Sequence, residues 1–259
     1  MPPISTAVFG TVVVFLAVTL SIAGLVLVRR LTPLSVRQEH NEVAGFIYAV
    51  VGIAYAVLMA FLVIAVWERF EDARDAADRE GNELAKLYWL ANSFPDSKRQ
   101  QVQELARSYA EVVVDEEWPM MENGQASPRA WALMDQLRDS VQNFEVSTSA
   151  DQVLYEQGLS RVNDMQDARR LRLLEANTYV PTILWVILIS GGAITIGFTY
   201  LFGLEKTWPH MLMVGALAVI IASALFTVYE LEYPFAGEPR VTPDALELDL
   251  QRFEGSQEG

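Results

Sequence analysis

The sequence predicts an all-α fold in which four transmembrane helices carry a helical extramembrane insert between spans two and three. Three observations carry that prediction. Of the 259 residues, 52% are hydrophobic, a high share for a water-soluble domain. The excess lies in four runs, residues 5–28, 44–66, 180–202 and 208–229, none of which contains Asp, Glu, Lys or Arg. Each run is longer than the ~20 residues that a helix rising ~1.5 Å per residue needs to cross ~30 Å of hydrocarbon. None shows the alternating polarity of a barrel strand. A segment in lipid must satisfy its own backbone hydrogen bonds, so these runs are expected to be helices.

In chain order, residues 1–66 hold the first two spans, 67–179 an acidic helical domain, 180–229 the last two spans and 230–259 an acidic polar tail. The first run lacks a basic leading segment and ends at Arg29-Arg30 instead of a small-residue cleavage site, so it reads as a retained span, not a secretory signal. The second span carries Gly45, Ala49, Gly52, Ala56 and Ala60, small residues that permit close helix approach. A neighbouring stripe holds Tyr48, Tyr55, Met59, Leu62 and Val66. Those bulky groups either pack the bundle or, with several copies around an axis, narrow a pore that gates by dewetting.

Four helices are expected in the insert. The first continues out of the second span from about Trp67 to Phe94, with Ala73, Ala77, Leu84, Leu87 and Ala91 on one stripe. Pro95, Asp96 and Ser97 break it and cap a second helix, which runs to about Trp118 and is ended by Pro119. Its apolar stripe is Val102, Leu105, Ala106, Tyr109, Val112 and Val113. Ser127 as cap and Pro128 as first helical residue open the third, striped by Leu133, Leu137, Val141 and Phe144. The fourth runs from about Ala150 to Asn177, with Tyr155, Leu159, Val162 and Met165 inward. Four such stripes can be buried together as a bundle.

Charge adds a functional constraint. An even number of spans puts both termini, the insert and the tail on one face. There the insert has 13 Lys+Arg against 22 Asp+Glu and the tail 2 against 8, in a chain of net charge −14. Such a face attracts cations and repels nucleic acid, less so as salt rises. Glu68, Glu71 and Asp72 follow the second span, and Glu230 and Glu232 close the fourth. They form either an acidic mouth that concentrates cations or simply solvated helix ends. Glu80 sits on the apolar stripe between Ala77 and Leu84. It is either paired with an arginine of a neighbouring helix or a gating carboxylate.

Arg29, Arg30 and Arg37 pull the first loop inward, while Arg69, Arg74, Arg79, Arg161, Arg169, Arg170, Arg172 and Arg240 flank the spans on the other face, so the positive-inside rule alone leaves the orientation a near tie. The chain has no cysteine, and its two histidines, His40 and His210, stand in no metal-ligand spacing. No nucleophile elbow or phosphate loop is present, so no enzyme activity, metal or cofactor is expected. Pumps and secondary transporters bury ionisable groups midway through their spans, whereas here only His210, at an edge, is ionisable. A passive pore fits that pattern better.

The order of parts, with the strings HNEVAGFIYAVVGIAYAV, VWERF, EGNELAKLYWLA, DEEWPMM, VPTILW and ELEYPFAGEP, resembles the bestrophin-like family of bacterial membrane proteins over nearly the whole chain. The resemblance implies a pentameric ring in a bacterial inner membrane, with the second span lining a central pore and the insert in the cytoplasm. It implies passive ion flow, with Tyr55, Met59, Leu62 and Val66 along the pore. Glu80, Tyr109, Glu117, Trp118, Pro234, Phe235 and Gly237 match recurrent family positions without an assigned role. Bestrophins are best known as anion channels and bacterial relatives can pass cations; the acidic face favours cations here. The expected partners are the lipid bilayer, inorganic ions and further copies of the chain. The rival reading is a non-conducting sensor or scaffold whose helical domain binds a partner.

Overall fold

The computed structural model describes residues 6–39 and 41–255; His40 lies outside the described residues. The described chain is helical: α1 (Thr6–Leu31), α2 (Leu34–Glu39), α3 (Asn41–Leu90), α4 (Asp96–Val112), α5 (Trp118–Met121), α6 (Pro128–Gln142), α7 (Ser149–Glu175), α8 (Thr182–Thr199), α9 (Thr207–Leu231) and α10 (Asp244–Gly255). It forms two compact units, Met1–Trp67 with Tyr179–Glu232, and Glu68–Thr178 with Tyr233–Gly259.

The first unit holds four helices long and apolar enough to cross a membrane, namely α1, the start of α3, α8 and α9. Here α1 packs along α9, and glycine lets it do so. A Cβ on Gly10 would stand 2.6 Å from the Phe226 ring. Gly191 and Gly192 of α8 form a slot for Tyr55 of α3, whose hydroxyl donates to the Leu188 carbonyl at 3.2 Å. At one end of the unit, the loop after α8 is held by polar side chains. Arg29 donates to the carbonyls of Leu204 and Glu205, Arg37 to that of Phe202, and the Asn41 side chain accepts from Gly203 N–H. His210 is buried among them, Nε2 on the Thr199 carbonyl at 2.9 Å and Nδ1 beside Arg29 at 3.3 Å. Because Arg29 can only donate, Nδ1 must accept, which makes Nε2–H the donor to Thr199 and the ring neutral.

The second unit buries most of the expected stripes: Ala73, Ala77, Leu84, Leu87 and Ala91 of the first helix, Val102, Ala106, Tyr109, Val112 and Val113 of the second, Leu137, Val141 and Phe144 of the third and Val162 and Met165 of the fourth are buried, while Leu105, Leu133, Tyr155 and Leu159 are half-buried. Ser127 caps α6 through its hydroxyl, which accepts from Arg129 and Ala130 N–H. Thr148 and Asp151 form a reciprocal capping box on α7.

Two expectations are corrected. Pro119 does not end the second insert helix: residues Val113–Glu117 form a π-turn and the helix continues through Met121. Trp118 N–H reaches back five residues to the Val113 carbonyl. This wider turn accommodates a proline ring that would collide with the carbonyl four residues earlier in a regular α-helix. The acidic polar tail, set off in the sequence as residues 230–259, instead joins the insert in one unit from Tyr233 onward. There α10 lies against α4, Phe253 stacks on Tyr88 at 3.8 Å, and Gly81 admits α10 so closely that a Cβ would meet Ala245 at 2.9 Å.

Candidate functional site

Glu80 comes together in the second unit with Tyr109, Glu117 and Trp118, for which the sequence offered no role. Their meeting point is a pair of arginines on α7. Arg172 donates from Nε to Glu80 Oε2 at 2.7 Å and from Nη2 to Glu80 Oε1 at 2.9 Å and Glu117 Oε1 at 2.8 Å. Arg169 pairs with the other oxygen of Glu117, which also accepts from Ser127 N–H at 2.9 Å. Tyr109 donates to Glu80 Oε1 at 2.5 Å. All four charged side chains are fully buried.

Aromatic rings complete the enclosure. The Arg169 guanidinium lies 4.2 Å from the centre of the Trp131 ring and Arg172 lies 4.8 Å from that of Trp118. The Arg169 Nε and Nη1 groups have no hydrogen-bond partner, and the Trp131 face supplies electrostatic compensation in their place. Trp118 in turn donates from Nε1 to the Val241 carbonyl and meets the edge of Phe235, so the start of the tail is tied to the same centre. Two carboxylates facing two guanidinium groups sum to no net charge. Burial and the Glu80 carboxylate push the Tyr109 hydroxyl well above the ordinary tyrosine range. Burial opposes the charge on Arg172, but Glu80 and Glu117 outweigh it and hold the guanidinium protonated more firmly than in free arginine. Through these hydrogen bonds the cluster clamps α3, α4, the π-turn and α7 together.

Sequence reasoning reached Glu80 and offered an arginine as its partner; that arginine is Arg172. It missed Arg169, Arg172, Trp131 and Ser127 as members of one cluster. The signal was present, since Arg169 and Arg172 extend the stripe of Val162 and Met165 at the same helical spacing. They were counted only as charges near a span.

The other expected site residues fall as follows. On α3, Tyr55, Met59 and Val66 are buried within the chain and Tyr48 and Leu62 are half-buried, Tyr48 edge-on to Phe202 at 5.7 Å. The exposed stripe of the same helix is Phe46, Val50, Ile53, Val57, Phe61 and Ile64. Glu68 and Asp72 are exposed and Glu71 is half-buried. Glu230 and Glu232 belong to the first unit and are buried rather than solvated. Glu232 accepts from Val180 N–H at 2.7 Å and Trp185 Nε1 at 3.1 Å, closing the start of α8 onto the end of α9. Among the described residues no three His, Asp or Glu side chains converge as metal ligands.

Residues 10–246 match the model of the bestrophin-like domain. The chain belongs to the bestrophin-like family. Solved structures of a bacterial bestrophin homolog from Klebsiella pneumoniae share its fold. One, carrying a single substitution, aligns with a TM-score of 0.71 at 14% identity over 93% of this chain and 99% of that one. Another, phased on zinc, aligns at 0.68 and 15% identity over 93% and 98%. A third, a different single variant, aligns at 0.71 and 14% over 98% and 100%. At such identities the likeness is one of fold. No curated protein sequence matches significantly. The chain is thus a bestrophin-like, multi-pass membrane protein, all-helical, with its helical insert between the second and third spans.

Proposed function

We propose that this bestrophin-like chain is one subunit of a homo-oligomeric passive ion channel with a preference for cations, set in a bacterial inner membrane with the insert and both termini in the cytoplasm. The observation that carries the reading is the division of α3 into two faces. Tyr55, Met59 and Val66 are turned into the chain, while Ile53, Val57, Phe61 and Ile64 form an exposed, charge-free stripe in a family whose likeness implies ion flow. One copy of that stripe cannot enclose a path, but several around an axis make a hydrophobic constriction. The pore face is therefore assigned to this stripe, with the Tyr48-to-Val66 stripe holding the helix from behind. Glu68 and Asp72, which follow the span in sequence, are both exposed carboxylates, and such groups favour cations over anions.

Purified protein in planar bilayers under a KCl gradient should give a reversal potential on the potassium side of zero. Combining Glu68→Gln with Asp72→Asn should move it toward zero, and Phe61→Ala should raise the conductance. Absence of current at every pH and calcium level tested, together with a monomeric or dimeric mass in mild detergent, would overturn the channel and leave a membrane-anchored scaffold as the better account.

A further inference from the structure

On the second unit, α3, α7 and α10 leave a cleft of about 490 Å3 lined by Asn82, Lys86, Trp89, Gln157, Arg161 and Arg252. Its size falls in the range of small-molecule sites, ~300–1,000 Å3. Helical spacing places its walls: residues 82, 86 and 89 recur on one face of α3, and 157 and 161 on one face of α7. Three cations gather here in a chain whose net charge is −14. Glu83 accepts from Lys86 at 2.6 Å and from Arg161 at 3.0 Å, one carboxylate serving two cations. Arg252 attracts the buried Asp249 carboxylate and lies over the Trp89 ring. The lining of the cleft itself holds these three cations and no carboxylate.

Its aromatic wall is as telling. Trp89 is 36% exposed, steadied on one side by Phe253 at 6.3 Å and approached by the Arg252 guanidinium at 5.9 Å. An accessible indole beside guanidinium forks matches a ligand with two unlike ends, a flat ring to stack and an anion to take paired N–H donors. Asn82 and Gln157 add amide donors and acceptors able to read the polar edges of a ring or sugar. We propose that this cleft binds a nucleoside phosphate, its base on Trp89 and its phosphates among Lys86, Arg161 and Arg252. The cleft belongs to the second unit and its binding does not depend on conduction.

Calorimetric titration of the full-length protein in detergent with ADP, adenosine and inorganic pyrophosphate tests this. ADP should bind, with adenosine and pyrophosphate each at least about tenfold weaker, since each lacks one of the two ends. Trp89→Leu should reduce ADP affinity to the level of pyrophosphate. Arg252→Gln, a surface change on a helix with other anchors, should weaken ADP by about tenfold and flatten its salt dependence. Three results would each overturn the proposal: no heat with ADP, pyrophosphate binding as tightly as ADP, or both variants retaining the parental affinity.

Discussion

Arg172 is the residue on which the insert most depends. It holds both buried carboxylates, so Arg172→Met leaves Glu80 and Glu117 with only Arg169 between them. Removing one partner of a buried charge pair costs about 3–5 kcal/mol, a large fraction of a domain's stability. Denaturant unfolding followed by tryptophan fluorescence should show that loss. Tyr109→Phe removes one hydrogen bond while Arg172 still satisfies Glu80 Oε1, and about 1 kcal/mol is expected from the same measurement. Asp249 tests the opposite sign of electrostatics. Burial raises its carboxyl to about 6, against a small attraction from Arg252. A raised carboxylate means that the folded state holds the proton more tightly than the unfolded one. Stability from this group is then fully present below pH ~4 and falls as pH rises toward 6. Asp249→Asn should accordingly raise the melting temperature at pH 8 and leave it unchanged at pH 4.

At the scale of elements, the docking of α10 rests on the bare face of Gly81. In Gly81→Ala the new methyl would meet Ala245 Cβ, an atom fixed to the α10 backbone, so the helix itself must shift. Overpacking of this kind costs about 1–3 kcal/mol, more than the roughly 1 kcal/mol that alanine gains in a helix. Limited proteolysis should cut the Tyr233–Pro243 segment faster in the variant. The features legible in the sequence were those decided within a turn or two: the four charge-free runs, the Ser127 cap, the break at Pro95 and the inward stripes. Those that escaped depend on distant partners. Nothing near Pro119 announces a π-turn, because the reward for it is Glu117 reaching arginines some fifty residues on. Likewise the polar tail reads as a segment of its own until Tyr88 and Gly81 are seen to receive it.

For the whole molecule, both α3 stripes are apolar, and composition cannot say which of two greasy faces a helix turns inward. The slot made by Gly191 and Gly192 decides it by admitting the Tyr55 ring. On the proposed channel reading, the stripe left outside is the one that copies of the chain share. Mass measurement in mild detergent should therefore give a ring of several subunits, and the resemblance sets the expectation at five. Charged residues at Val57 or Phe61 should change conductance strongly, whereas the same change at Tyr55 should abolish folding of the span.

A π-turn is one residue more than a helix needs, and in this chain the surplus is paired with a proline. Deleting the exposed Asp115 would let the turn relax to regular α geometry and leave the helices on either side in place, except that Pro119 would then strike the carbonyl behind it. The deletion alone should fail to accumulate in the membrane, while the deletion combined with Pro119→Ala should be recovered.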